Sequence, residues 1–257
     1  MIDSRLSGEL SDGDGTMKWG AVIVAAGRGT RMGAPDNKPY LPLAGRPVLA
    51  YALEAFGRCP SVESVVIVAA PGEEARAEAV ALELAPALRK VRAIVPGGAE
   101  RQDSVLAGLA ALDTEGVLVH DAARPLVTPE QIEACCREAE RHGASALAVP
   151  VKDTIKVEGE SGFMTATPDR STLWAVQTPQ AFHREELLNA HRVAMLEGAA
   201  ATDDTMLLER MGRKVAIVRG EYSNLKITTP EDLPIAELLL MKRGQDSRSE
   251  RRLEEAD

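Results

Sequence analysis

Four short runs along this chain carry residue types suited to handling phosphate. The first is Ala25-Ala26-Gly27-Arg28-Gly29-Thr30-Arg31-Met32-Gly33, which begins where the apolar run Ala21–Ala25 ends. Glycines at the end of a strand let backbone N–H groups approach a phosphate chain closely. Arg31 and then Lys38 bring fixed positive charge to the same loop. A dinucleotide fingerprint would need a third glycine where Met32 stands, and no Gly-Lys-Ser/Thr follows at Walker spacing. A bare Gly-x-Gly marks only a tight turn. With a strand in front and two cations attached, the run reads as a polyphosphate cradle of another kind.

The second run, Gly97-Gly98-Ala99-Glu100-Arg101-Gln102-Asp103-Ser104, again leads from an apolar run into a helical pattern. Its backbone could read a base edge, and Ser104 falls in the first helical turn. The third, His120-Asp121-Ala122-Ala123-Arg124-Pro125, closes Val117-Leu118-Val119 and puts Asp121 at a strand's carboxyl end. A carboxylate there can hold Mg2+ or a ribose hydroxyl, or simply pair with Arg124. His120 reads as a packed, hydrogen-bonded residue and not as a base. The fourth is Asn224-Leu225-Lys226-Ile227-Thr228-Thr229-Pro230, where Lys226 precedes the last helical pattern. Alone it would be a solvated lysine, and only its company makes it a phosphate ligand.

The elements that must position these runs follow from the apolar pattern. Strands are expected at 21–25, 65–69, 91–95, 117–120, 146–151 and 215–218, each a near-continuous run suited to burial on both faces. Helical periodicity fills 47–57, 73–85, 101–112, 129–141, 184–197, 204–211 and 231–242. Thr128-Pro129-Glu130-Gln131 has a cap, an N1 proline and a capping-box partner in register. Thr229-Pro230-Glu231-Asp232 offers a proline and carboxylates that suit a helix dipole. The alternation predicts an α/β, doubly wound, mostly parallel sheet, with ligands beyond the carboxyl ends of its strands.

One segment breaks the rhythm. From Lys152 to about Trp174, Val151, Ile155 and Val157 alternate with Lys152, Thr154 and Lys156 around the turn Glu158-Gly159-Glu160-Ser161-Gly162. This predicts a projecting β-hairpin arm over about 152–175, whose apolar side a second subunit would cover. Residues 1–17 read as a polar disordered extension, 18–243 as one domain, and 244–257 as a charged, frayed tail.

Composition narrows the partners. The 257 residues carry a net charge of −9 and only 3% aromatics, which argues against nucleic acid and against an anionic membrane surface. No apolar run approaches the ~20 residues that span a bilayer, and the N-terminus has no secretory signal. Cys59, Cys135 and Cys136 match neither a disulfide framework nor a zinc pattern, so thiols in a reducing, cytoplasmic setting are expected.

In this order the four runs resemble the 2-C-methyl-D-erythritol 4-phosphate cytidylyltransferase family of the non-mevalonate isoprenoid pathway. The resemblance extends from about Ala21 to Leu238. It also takes in Pro150-Val151-Lys152-Asp153-Thr154, Gln177-Thr178-Pro179-Gln180 and Thr202-Asp203-Asp204. It implies a Rossmann-like nucleotidyltransferase that transfers CMP from CTP to the polyol phosphate with release of pyrophosphate, using Mg2+ or another divalent cation. By the same resemblance, Arg31 and Lys38 would stabilise the transition state at the α-phosphorus. Ala25, Ala26, Gly27, Gly29, Gly98, Arg101, Ser104 and Asp121 would hold CTP, with Gly98 and Ser104 at the cytosine and Asp121 at the ribose and metal. Thr154, Arg170, Arg124 and Lys226 would bind the acceptor, and the arm would reach a partner subunit's site in a homodimer. Lys38-Pro39-Tyr40 departs from the family, which usually has Gln after the lysine. Ribitol 5-phosphate is the rival acceptor, and a catalytically silent nucleotide-binding regulator is the rival from another class.

Overall fold

A computed structural model describes residues 17–27, 37–85 and 88–254, with side chains described through Gln245. In chain order the elements are β1 (Trp19–Ala25), β2 (Pro42–Leu43), β3 (Arg46–Pro47), α1 (Val48–Arg58), β4 (Val62–Ala69), α2 (Glu74–Leu82), β5 (Val91–Pro96), α3 (Arg101–Ala110), β6 (Gly116–Asp121), α4 (Pro129–His142), β7 (Ala144–Pro150), β8 (Val157–Glu158), β9 (Met164–Ala166), β10 (Trp174–His183), α5 (Arg184–Glu197), α6 (Asp204–Arg210), β11 (Ala216–Arg219) and α7 (Asp232–Glu254).

Seven strands form one sheet in the order β11-β7-β10-β6-β1-β4-β5. β1 is parallel to β4 and β6, β4 to β5, and β7 to β11, while β10 is antiparallel to β6 and β7. Ala21, Ile23 and Ala25 face a core shared with α1, α2 and α4, whereas Val22 faces a second core with α3, α5 and α6. Helices on both faces explain why the strands read as unbroken apolar runs instead of alternating ones. The doubly wound, mostly parallel sheet is thus the one expected.

β10 was not expected. Its Gln177-Thr178-Pro179-Gln180 centre is polar and contains proline, which argues against an interior strand. The ladder resolves both objections. Val176 pairs with Ala148 and Gln180 with Ala146, so Gln177 to Pro179 sit opposite a single residue and Pro179 owes the ladder no N–H. Each buried polar side chain also has a partner. Gln177 donates to the Glu221 carbonyl at 2.9 Å, Thr178 Oγ1 accepts from Asp121 N at 3.0 Å, and Gln180 donates to Asp203 at 3.0 Å.

Helix ends follow local chemistry. Thr128 Oγ1 accepts from Gln131 N at 3.3 Å, Gln131 Oε1 accepts from Thr128 N at 3.2 Å, and Gly143 closes α4 at φ 87°. α7 starts at Asp232, whose Oδ2 accepts from Thr228 N and Thr229 N at 2.7 and 2.8 Å. The backbone stays helical to Glu254, twelve residues beyond the expected stop at 242. No proline interrupts that stretch, and most of its residues are adequate helix formers. No helix among the described residues is long and apolar enough to cross a membrane.

The segment after β7 is a smaller hairpin than its alternation suggested. Only β8 and β9 pair, around a 3-10 turn at Glu160–Gly162, and residues 152–158 are all exposed. The alternating apolar residues have no surface within the described chain to pack on, so a long ladder gains little there. A third cluster of Leu41, Leu43, Val48, Leu126, Ile227 and Ala236 packs the last loop under α7. Ile227 is completely buried and donates its N–H to the Ala123 carbonyl at 2.8 Å. That anchor brings the neighbouring Lys226 over the end of β6.

Candidate active site

The carboxyl ends of β1, β5 and β6 open onto a cavity of about 370 Å³. Ala25, Ala26, Gly27, Lys38, Gly98, Arg101, Ser104, Asp121 and Lys226 line it, together with Val24, Pro39, Pro71, Ala99, Glu100 and Ala123. Three of the four phosphate-suited runs therefore converge through described residues, with the Lys38 turn and the β1 end supplying the fourth. Among the described residues, the cavity lining holds three cations, Lys38, Arg101 and Lys226, against two carboxylates, Glu100 and Asp121, in a chain of net charge −9. Arg31 and Gly29 lie outside the described residues. A larger hollow of about 470 Å³ between α2 and β5 contains none of the expected site residues.

Close packing of small residues brings the first two loops together. A Cβ on Gly97 would lie 2.4 Å from Ala26 Cβ and 2.8 Å from Ser104 Oγ, so only glycine allows this approach. Ser104 Oγ accepts from Gly98 N and donates to the Glu100 carbonyl, both at 3.1 Å, which ties the glycine turn to the start of α3. Asp103 Oδ2 accepts from Glu100 N at 3.0 Å. The α3 N-terminus thus opens on the cavity, where its orphan N–H groups and dipole favour an anionic or carbonyl ligand.

The Lys38-Pro39-Tyr40 departure is accommodated. These residues form a 3-10 turn in which Tyr40 N donates to the Asn37 carbonyl at 3.0 Å and Leu41 N to the Lys38 carbonyl at 3.2 Å. Pro39 sits at the position that needs no donor. Below it, Tyr40 is buried, its hydroxyl donates to the Glu73 carbonyl at 3.3 Å, and the Arg76 guanidinium lies 4.1 Å from its ring centre. Lys38 therefore stands on a braced turn.

Asp121 is the electrostatic hub. Its Oδ2 is 2.6 Å from Lys226 Nζ, and its Oδ1 is 3.5 Å from Arg101 Nε. Burial alone would raise its pKa, but Lys226 and then Arg101 outweigh that and hold the carboxyl well below the usual range. It stays ionised at any pH at which the protein would work. The local Asp121–Arg124 pair that the sequence also allowed is not formed. Arg124 donates to the Asn224 carbonyl at 2.8 Å and does not line the cavity. His120 is fully buried, with Nε2 at 3.1 Å from the Arg124 carbonyl and Nδ1 at 3.1 Å from Thr178 Oγ1. Burial pushes its pKa down to about 4, so it is neutral, and it is the packed, hydrogen-bonded residue that the sequence led one to expect.

Thr154 and Arg170 are elsewhere. Both are exposed on the hairpin segment, where Arg170 donates to the Lys152 carbonyl at 2.7 Å, and neither lines the cavity of its own chain. Sequence reasoning assigned no role to Asp204, which is 2.7 Å from Arg101 Nη1. Its only signal was the Thr202-Asp203-Asp204 run, and Asp204 is 103 residues away in the chain from the arginine it holds.

No group of three or more His, Cys, Asp or Glu side chains that could hold a metal occurs among the described residues. Mg2+ commonly takes one or two carboxylates and fills the rest of its shell from substrate phosphates and water. Asp121 and Glu100 are the carboxylates among the described residues that line the cavity. All three cysteines are free and buried, and burial raises the Cys59 and Cys135 thiols to about 12, so neither is a nucleophile.

Comparison with known proteins gives the family. Residues 20–242 match the family model for 2-C-methyl-D-erythritol 4-phosphate cytidylyltransferase (IspD). A protein of that description from Pelotomaculum thermopropionicum is 53% identical over 228 residues, covering 88% of this chain and 95% of its own length. One from Caldanaerobacter subterraneus subsp. tengcongensis is 50% identical over 228 residues, covering 88% of this chain and all (100%) of its own. The crystal structure of 4-diphosphocytidyl-2C-methyl-D-erythritol synthase from Anaerococcus prevotii superimposes with a TM-score of 0.78 at 31% identity, covering 88% of this chain and 97% of that one.

Proposed function

The chain belongs to the 2-C-methyl-D-erythritol 4-phosphate cytidylyltransferase family, and from that premise we propose how its cavity carries out the reaction. The enzyme transfers CMP from CTP to 2-C-methyl-D-erythritol 4-phosphate, forming 4-diphosphocytidyl-2-C-methyl-D-erythritol and pyrophosphate for isoprenoid synthesis. A phosphate oxygen of the acceptor attacks the α-phosphorus of CTP, and the bond to the bridging oxygen of pyrophosphate breaks opposite. The acceptor phosphate is already ionised near neutral pH, so no strong base and no covalent enzyme intermediate are needed. The difficulty is to bring two polyanions together and to stabilise the charge that builds up between them.

Lys38, with Arg31 by family resemblance, meets that charge at the α-phosphorus. Gly98 and Ser104, at the start of α3, take the cytosine. Asp121 holds Lys226 by the 2.6 Å contact and directs its amine toward the incoming acceptor phosphate. Lys226 keeps 43% of its side chain exposed, so it can turn to a ligand while Asp121 remains its anchor. Mg2+ held by Asp121 and the triphosphate would neutralise the phosphate oxygens when bound. One observation carries the reading: Lys38, Arg101, Asp121 and Lys226, distant in sequence, line one hollow at the strand ends.

Thr154 and Arg170 of one copy complete the acceptor half of the other copy's site in a homodimer. Two features support this. Neither residue is among those that line the cavity of its own chain, and Phe163 and Met164 of the arm are 72% and 75% exposed. Large apolar side chains clustered at such exposure suit an interface. Three buried free thiols support a reducing, cytoplasmic setting. The test is pyrophosphate release with CTP, Mg2+ and 2-C-methyl-D-erythritol 4-phosphate beside ribitol 5-phosphate. Turnover with the methylerythritol substrate at least about 100-fold above that with ribitol phosphate is expected, since a site built on hydrogen bonds rejects poor fits strongly. Equal turnover would refute the acceptor assignment.

A further inference from the structure

A chain of alternating basic and acidic side chains leaves the cavity and runs into the α5–α6 side of the molecule. It begins with Lys226 on Asp121 and passes to Arg101 Nε at 3.5 Å from Asp121 Oδ1. Arg101 Nη1 then meets Asp204 Oδ2 at 2.7 Å, and Asp204 Oδ1 faces His191 Nε2 at 3.3 Å. The Asp204 and His191 side chains are 1% and 0% exposed. Asp204 does not line the cavity, yet it is locked in place. It opens α6 one residue after the Asp203 cap, and its N–H donates to Gln180 Oε1 at 3.2 Å.

Burying a carboxylate is costly unless it is paired, and apolar residues of similar size could join α3 to α6 at least as well. What the carboxylate adds is direction. A guanidinium is a rigid planar fork, so fixing Nη1 on Asp204 fixes where the remaining edge points. Here that leaves Nε 3.5 Å from Asp121 Oδ1, with Arg101 lining the cavity. Without Asp204 the fork is free to close bidentately on Asp121, which would compete with Lys226 and withdraw Arg101 from the nucleotide.

We propose that Asp204 is a positioning residue for nucleotide binding, acting through Arg101 from outside the cavity. The proposal rests on the assignment of that cavity to CTP. The test measures the CTP dissociation constant calorimetrically, without acceptor, for wild type, Asp204→Asn, Arg101→Ala and the double variant. Asp204→Asn keeps the shape and removes the charge. It should weaken CTP binding by about tenfold to hundredfold, since small displacements of a positioning group cost that much. In the Arg101→Ala background the same change should alter affinity less than about twofold, as coupled sites are not additive.

Equal losses in both backgrounds would mean that Asp204 acts through the general fold, and would overturn the proposal. So would full affinity in Asp204→Asn with a clear loss in Arg101→Ala. Arg101→Ala that leaves CTP affinity intact would instead overturn the cavity assignment, and the proposal with it. Should Asp204→Asn fail to fold, Asp204→Glu keeps the charge and moves it by one methylene. Its loss must likewise appear with Arg101 present and vanish without it, and the opposite result overturns the proposal.

Discussion

The cavity loops and the arm are built on opposite principles. Around the cavity, Asp121, Arg101, Ser104 and Lys38 are each held by a buried neighbour, a helix start or a braced turn. On the arm, residues 152–158 are all exposed, and Arg170 leans on a carbonyl of its own segment. One chain therefore gathers the described residues of the proposed nucleotide half around one cavity and leaves Thr154 and Arg170 of the proposed acceptor half outside it. Preorganised charge is worth most where water is excluded, so the rigid half should carry the chemistry and the open half the acceptor.

The largest effect should come from the rigid half. Lys38→Ala should lower kcat by about 10²–10³, the cost of losing one preorganised charge stabiliser. Its melting temperature should stay near wild type, because Tyr40 is buried beneath the turn and its hydroxyl donates to the Glu73 carbonyl. Pyrophosphate release at saturating CTP measures this, and a rate within a few-fold of wild type would remove Lys38 from the chemistry.

The next prediction concerns stability. His120 lies beneath the cavity with its pKa lowered from 6.5 to about 4. Between those values the unfolded chain binds a proton that the folded chain does not, so stability must fall as pH falls through that window. At about 1.4 kcal/mol per unit, the full span is worth about 3 kcal/mol. Denaturant unfolding between pH 7 and pH 4 should show this slope, and His120→Asn should flatten it. An unchanged slope in that variant would show that His120 is not its source.

The smallest effect tests the open half. Arg170→Ala should cost about tenfold to hundredfold in kcat/KM for the acceptor, the value of a charged hydrogen bond, with CTP affinity unchanged. If the arm serves a partner's site, mixing Lys38→Ala with Arg170→Ala chains and letting them exchange should restore about a quarter of wild-type activity. Half of the dimers are then mixed, and each has one intact site. No recovery on mixing would place Arg170 in its own chain's site or outside catalysis.

Much of this was legible in the residues. Continuous Val, Ile and Ala runs marked six of the seven strands of the main sheet, because burial on both faces leaves no polar alternation. Thr128 and Gln131 marked the start of α4, because a cap acts on backbone three residues away. β10 was hidden, since Pro179 and its polar neighbours are tolerable only where the ladder skips them and partners wait across the sheet. The arm's long alternation promised more strand than it forms, because alternation without a surface to cover stabilises little. The Arg101–Asp204 contact was equally out of reach, as no local pattern links two residues 103 positions apart.

By itself the sequence determined the layer architecture, the loops that carry charge, His120 as a packed residue and the cysteines as free thiols. All of these depend on local pattern or on burial, which hydrophobicity encodes directly. Only the tertiary structure decided which charges meet: Lys226 with Asp121 in place of Arg124, and Arg101 with Asp204. Such pairings are set by where parallel strands end and which loops they carry past one another, and that geometry exists only once the sheet has closed.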